Sequence, residues 1–151
     1  EGLALIEALE MEAALKGCLF SFPRPLLRDL LHRNLRVAII TRNCDSAVRR
    51  VFPDIADYCH SFLARDHVPS PKPDPAHLIS ALKAINACSG AALMVGDHPI
   101  DIQTGKAAGT LTAGVSSGNA SREDLLLAGA DWVACDCEEL MGILTESGAL
   151  A

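Results

Sequence analysis

Apolar positions along this chain repeat with two periods, and the two alternate. Short continuous runs, Val37–Ile40, Ser61–Ala64, Ala91–Val95, Leu111–Val115 and Trp132–Ala134, are too short for helices and are bounded by turn residues, so they predict buried strands. Between them lie stretches with apolar residues every three or four positions. Asp45 or Cys44 opens a helix through Val51, which Pro53 stops. Asp74 as N-cap and Pro75 at the first helical position start a helix to Ile85, with Leu78, Leu82 and Ile85 on one face. Ile100–Ala108 reads as a helix, Ser121 and Asp124 stand in capping-box order before one ending at Ala128, and Glu138–Leu144 forms the last. Strands alternating with helices predict a parallel sheet with helices on both faces.

The front of the chain follows a different pattern. Leu3–Leu15 is an amphipathic helix ended by Gly17, and Cys18–Phe22 is an apolar run of strand type before Pro23. Pro25–His32 is a helix with Leu26, Leu27, Leu30 and Leu31 as its stripe, and Asn34 suits a left-handed stop. The first residue is Glu and nothing caps the first helix, so the numbering is expected to begin inside a longer polypeptide. The stretch Val68–Pro75 holds four of the eight prolines and is expected to be a stiff loop that presents Lys72.

Composition narrows the class. A chain of 151 residues supports a single core, and with 50% hydrophobic but 4% aromatic residues that core is expected to be Leu, Ala, Ile and Val. The net charge of −6, with no basic cluster longer than Arg49-Arg50, argues against a nucleic-acid surface. No apolar run approaches a membrane span, and the acidic, amphipathic start is not of secretory-signal type. The six cysteines, at 18, 44, 59, 88, 135 and 137, are scattered and read as reduced thiols of a cytoplasmic protein. Cys135-Asp136-Cys137 lacks the partner pairs of a metal clip. His60, His67 and His98 have no evident partner and read as surface histidines.

The chemistry gathers at Met94–Gly109, MVGDHPIDIQTGKAAG, where Asp97 and Asp101 flank the loop between a strand and a helix. Two carboxylates held close repel unless a cation or a basic side chain lies between them, and Mg²⁺ answers that need while leaving positions for water and phosphate. A simpler reading has Asp97 capping a turn and Asp101 at a helix start, where an anion suits the dipole. Thr41 ends another strand, and in a parallel sheet the carboxyl ends of all strands share one edge, so Thr41, Lys72, Asp97 and Asp101 can converge. The Thr41 hydroxyl and the N–H groups of Arg42 and Asn43 suit phosphate oxygens, and Lys72 adds a compact positive charge. Taken singly, Thr41 is an ordinary strand residue, Lys72 a surface charge and Arg42 a partner for a carboxylate. Jointly they describe phosphoryl transfer, in which positioning and charge neutralisation supply most of the rate.

VAIITRN, PSPKPDP, MVGDHPIDIQTGKAAG and GADWVACDCEELMGIL, in that order, resemble the haloacid dehalogenase superfamily in its phosphoglycolate-phosphatase-like branch, from about Arg24 to Leu144. The resemblance implies an α/β, Rossmann-like doubly wound parallel sheet and a Mg²⁺-dependent phosphatase acting on a small phosphorylated metabolite. By it, Thr41 is the phosphate-binding hydroxyl and Lys72 the basic residue. Asp97 becomes the metal-binding acid, and Asp101 the acid that supports metal and lysine from behind. Residues 1–23 become a remnant of the helical cap and linker, and 24–151 the core domain. No DxD pair, which in the family supplies the nucleophile and the acid/base, occurs anywhere in the sequence. The strand carrying it is expected to be absent, with most of the cap, leaving a slot between the Val37–Thr41 and Ala91–Val95 strands; the alternative is that another segment, Cys18–Phe22, fills it. The chain as given is therefore expected to be inactive.

Two function classes follow: a phosphatase whose nucleophile lies outside these residues, or a non-catalytic regulatory module that keeps phosphate and Mg²⁺ contacts. A receiver-type switch has the wrong order of acids, and no GxGxxG follows a strand to support a nucleotide-cofactor dehydrogenase. Nucleic acid and membrane are not expected partners; a homodimer is compatible with the sequence.

Overall fold

A computed structural model describes residues 23–150. The expected Leu3–Leu15 helix, the Cys18–Phe22 run and nearly all of the assigned cap remnant lie outside them. The elements run α1 (Pro23–His32), β1 (Ala38–Ile40), α2 (Asp45–Val51), β2 (Ser61–Leu63), α3 (Pro75–Ala84), β3 (Leu93–Gly96), α4 (Pro99–Ala108), β4 (Leu111–Val115), α5 (Arg122–Leu127), β5 (Trp132–Ala134) and α6 (Cys137–Glu146). Short 3₁₀ turns at Ile55–Asp57, Arg65–His67 and Ser89–Ala91 complete them. No helix among the described residues is long and apolar enough to cross a membrane.

All strand pairs are parallel, in two separate ladders, β1–β2 and β3–β4–β5. Among the described residues β1 pairs only with β2, and β3 only with β4. Val95, an apolar residue inside edge strand β3, is 41% exposed. The chain clusters into two compact units: the described residues up to Pro71 with Ile79–Ala87, and Lys72–Leu78 with the described residues from Cys88 on.

In the second unit the strand alternation sends successive side chains to opposite faces. Ala113, Val115 and Ala134 pack with Leu140 and Leu144 of α6 on one face, joined by Leu93, Trp132 and Ile143. Val133 packs with Ile102 of α4 and Leu125 of α5 on the other. Helices thus cover both faces of this parallel sheet, the doubly wound arrangement expected. Gly114 belongs to the second face, where a Cβ would lie 2.9 Å from a methyl of Leu125. Leu125 is fully buried, and such a side chain contributes about 1.5–3 kcal/mol through burial.

The first unit is built differently. Phe52, Ile55 and Tyr58 form its buried cluster, with Leu27, Ile39, Val48 and Phe62 packed against them. The expectation of a core made only of Leu, Ala, Ile and Val fails here. The few aromatic residues are concentrated in this unit, where large rings fill the space that two short strands and a 3₁₀ turn leave. Arg24 stacks over Phe52 at 4.8 Å and pairs with Asp54, while Arg28 donates to the Tyr58 hydroxyl at 2.9 Å.

Candidate active site

The second unit places its chemistry where β3 hands over to α4. The strand is longer at this end than expected: Gly96 is its last residue rather than a break. Gly96 is needed for space, because a Cβ there would lie 2.2 Å from the Cβ of Asp101. Asp101 therefore folds back flush against the end of the strand.

His98 caps α4 in extended conformation, with φ −131° and ψ 146°, and Pro99 follows as the first helical residue. His98 Nδ1 accepts the Ile100 N–H at 3.1 Å, and Asp101 Oδ2 accepts the His98 N–H at 3.2 Å. This is a capping box with histidine in place of serine or threonine. The simpler reading of Asp101 as a helix-start anion is thus part of the answer.

The rest of the answer is Lys72. Its Nζ lies 2.5 Å from Asp101 Oδ1, and the two side chains are only 11% and 8% exposed. Lys72 is not a solvated surface charge. The loop carrying it is irregular from Val68 to Asp74, as its prolines require. The Lys72 N–H donates to Nδ1 of His77, which is fully buried, and Asp74 Oδ1 accepts the Ala76 N–H at 2.8 Å to start α3.

Asp97 differs in every respect from Asp101. It is exposed and, among the described residues, makes no hydrogen bond or ion pair. Its carboxylate lies against the loop after β4, where a Cβ on Gly118 would come within 2.4 Å of Oδ2. Burial pushes the Cys137 thiol up from its ordinary range, and the charges of Asp136 and then Asp97 push the same way. The Cys135 thiol is also raised, first by its hydrogen bond to the Glu139 carboxylate. Both thiols are held protonated. Among the described residues no group of three or more His, Cys, Asp or Glu side chains could hold a metal ion. Asp101 has both carboxylate oxygens engaged, by Lys72 and by the His98 N–H, which leaves Asp97 as the unpaired carboxylate at this end of β3.

In the first unit Thr41 ends β1, its N–H continuing the ladder to Leu63 O at 3.1 Å. The Asn43 N–H donates to Thr41 Oγ1 at 3.1 Å, so that N–H is turned toward the hydroxyl, whose own proton is left to donate elsewhere. Arg65 clamps this turn from behind, its Nη1 donating to Arg42 O at 3.2 Å and its N–H to Asn43 O at 3.0 Å. The Arg42 side chain is exposed and, among the described residues, pairs with no carboxylate.

Histidine is what sequence reasoning missed. His60 accepts the Val37 N–H at 3.1 Å and His67 the Ala64 N–H at 3.0 Å, each through Nδ1, as His77 and His98 do for their partners. Each bond needs a bare Nδ1, so each ring carries its proton on Nε2. His98 was findable, since it precedes Pro99 with an acid three residues on. His77 was not, because its partner lies in a loop that no periodicity describes.

The model of the family described as haloacid dehalogenase-like hydrolase matches residues 19–115. N-acetylmuramic acid 6-phosphate phosphatase of Pseudomonas putida is 34% identical over 127 residues, 81% of this chain and 56% of the relative. Phosphoglycolate phosphatase of Rhodospirillum rubrum is 35% identical over 107 residues, 70% of this chain and 44% of the relative. A crystal structure of a hydrolase from Pseudomonas syringae superposes with a TM-score of 0.77 at 27% identity, covering 85% of this chain and 60% of that one. The chain thus spans about half the length of the curated relatives it matches. By its matched residues and its fold, this chain belongs to the haloacid dehalogenase-like hydrolase family.

Proposed function

We propose that the protein containing this chain is a phosphatase that hydrolyses a small phosphomonoester with Mg²⁺, through an aspartyl-phosphate intermediate. The observation that carries the reading is the contrast at the end of β3: a buried Lys72–Asp101 pair beside an exposed, unpaired Asp97. The relatives' names agree in one respect, since both are phosphatases of small phosphorylated metabolites, and differ in substrate.

In this reading Lys72 binds a phosphate oxygen and offsets the charge that builds on the phosphoryl group. Asp101 keeps the ammonium aimed, at no cost in reorganisation during the reaction. Asp97 would hold the metal, with Asp101 behind it, and the bound Mg²⁺ would screen the phosphate from an attacking anion. Motif order alone gives Thr41, Arg42 and Asn43 a phosphate-binding role, with the Thr41 hydroxyl as donor. No DxD pair lies in these residues, so the attacking aspartate is assigned to sequence outside them and turnover by these residues alone is not expected. The same lack is what favours the second reading, a module that binds phosphate and Mg²⁺ without hydrolysis.

The test is release of inorganic phosphate from a panel of small phosphomonoesters by the complete protein, with and without Mg²⁺. Mg²⁺-dependent turnover that Lys72→Ala abolishes supports the phosphatase. Phosphate binding without turnover in the complete protein supports the module, and neither binding nor turnover sinks both.

A further inference from the structure

We infer that His77 is a positioning residue for Lys72, fixing the backbone from which that lysine reaches Asp101 and a bound phosphate. The inference rests on the reading of Lys72 as the phosphate-binding lysine.

A lysine side chain has four flexible torsions, and holding its tip at Asp101 does not hold its root. The root lies in a loop with little of its own to hold it. Pro69, Pro71, Pro73 and Pro75 have no N–H, so between Val68 and Pro75 only Val68, Ser70, Lys72 and Asp74 can donate. The Lys72 N–H is spent on one acceptor, His77 Nδ1, at 3.2 Å. His77 is fully buried, and its helix is anchored at Leu78, Ala81 and Leu82, which are 7%, 0% and 6% exposed. The acceptor is therefore set by a packed helix, and the loop takes its position from the helix rather than from solvent. At its other end the same residue meets Asp101, itself locked into the α4 capping box. Lys72 is tied at both ends, and His77 supplies one tie.

A buried imidazole also costs more than an apolar ring of its size unless it is bonded. Simple space-filling at position 77 is served as well by leucine, so the acceptor atom is the informative part.

Two substitutions separate the roles. His77→Leu keeps bulk and removes the acceptor; His77→Asn loses bulk but puts Oδ1 near where Nδ1 stood. The full chain is titrated with inorganic phosphate in the presence of Mg²⁺, and hydrogen exchange of the Lys72 amide is followed without ligand. His77→Leu is expected to strip protection from the Lys72 amide and weaken phosphate on the order of tenfold, the worth of one good hydrogen bond. His77→Asn is expected to keep the protection and bind within about twofold of wild type, even though its melting temperature falls with the lost bulk. Equal loss of phosphate affinity in both variants, tracking their melting temperatures, overturns the inference in favour of plain packing, as does a wild-type Lys72 amide that exchanges freely. Lys72→Ala is the control for the underlying reading: if it leaves phosphate affinity unchanged while the amide result holds, Lys72 is not the phosphate ligand and His77 merely shapes a loop.

Discussion

Lys72 Nζ and Asp101 Oδ1 stand 2.5 Å apart, and their side chains are 11% and 8% exposed. Desolvating two charges is costly, and such a pair adds little to stability compared with apolar residues of the same shape. What the pair does is hold the lysine in place against the start of α4. Breaking it from one side leaves the other charge buried and alone. Asp101→Asn is expected to lower unfolding free energy by about 3 kcal/mol in urea denaturation. Lys72→Met is expected to cost less, because Asp101 keeps the His98 N–H. Equal, small effects from both would mean that the pair is open to water.

Asp97 gives the opposite expectation. An exposed carboxylate without a protein partner contributes little to folding, so Asp97→Asn is expected to change stability by less than about 0.5 kcal/mol. On the proposed function, its effect is expected on metal binding. Calorimetric titration with Mg²⁺ is expected to show clear weakening, and an unchanged affinity removes Asp97 from the ligand set.

Gly96 supports Asp101 by lacking a side chain. The Cβ of Gly96→Ala would meet the Asp101 Cβ at 2.2 Å, and no rotation of Asp101 moves its own Cβ. The end of β3 and the start of α4 are expected to separate, costing about 1–3 kcal/mol as overpacking does, together with phosphate binding. Wild-type stability in this variant would show that the contact is looser than it looks.

Acid stability has a defined origin at the other end of the same sheet. The Lys106 ammonium, at 2.8 Å, together with Thr112 holds the Asp131 carboxyl below its ordinary range, against a smaller opposing effect of burial. A carboxyl depressed in the folded state adds stability above its unfolded pKa near 3.8, and that contribution is lost as pH falls through the lower folded value. Asp131→Asn is expected to flatten the loss of stability below about pH 4 relative to wild type. An unaltered acid limb in the variant would assign that loss to other groups, such as Asp54 with Arg24 or Asp124 with Ser121.

Most of the fold is legible because strand and helix periods differ and because caps have simple chemistry. Ser121 and Asp124 form the capping box their order announces, and Asn34 takes the left-handed turn at φ 59°. What stays hidden is long-range. A local pattern sees Gly96 as a breaker, whereas in the fold it is a strand residue made small for Asp101. It sees Lys72 as exposed, because only the tertiary fold brings a loop at 72 onto a helix at 101. It sees ordinary histidines, because an imidazole acting as a backbone acceptor leaves no periodic trace. The motif types carry further than the element pattern: the resemblance implies that Asp101 supports the lysine, and in the fold Asp101 pairs with Lys72.

The central claim is that the end of β3 binds metal and phosphate together, and one titration addresses it. Inorganic phosphate is added calorimetrically to the wild-type chain with and without Mg²⁺, and to Lys72→Ala with Mg²⁺. The account expects phosphate to bind more tightly when Mg²⁺ is present and to lose that binding in Lys72→Ala. Phosphate affinity that ignores both Mg²⁺ and Lys72 would contradict it.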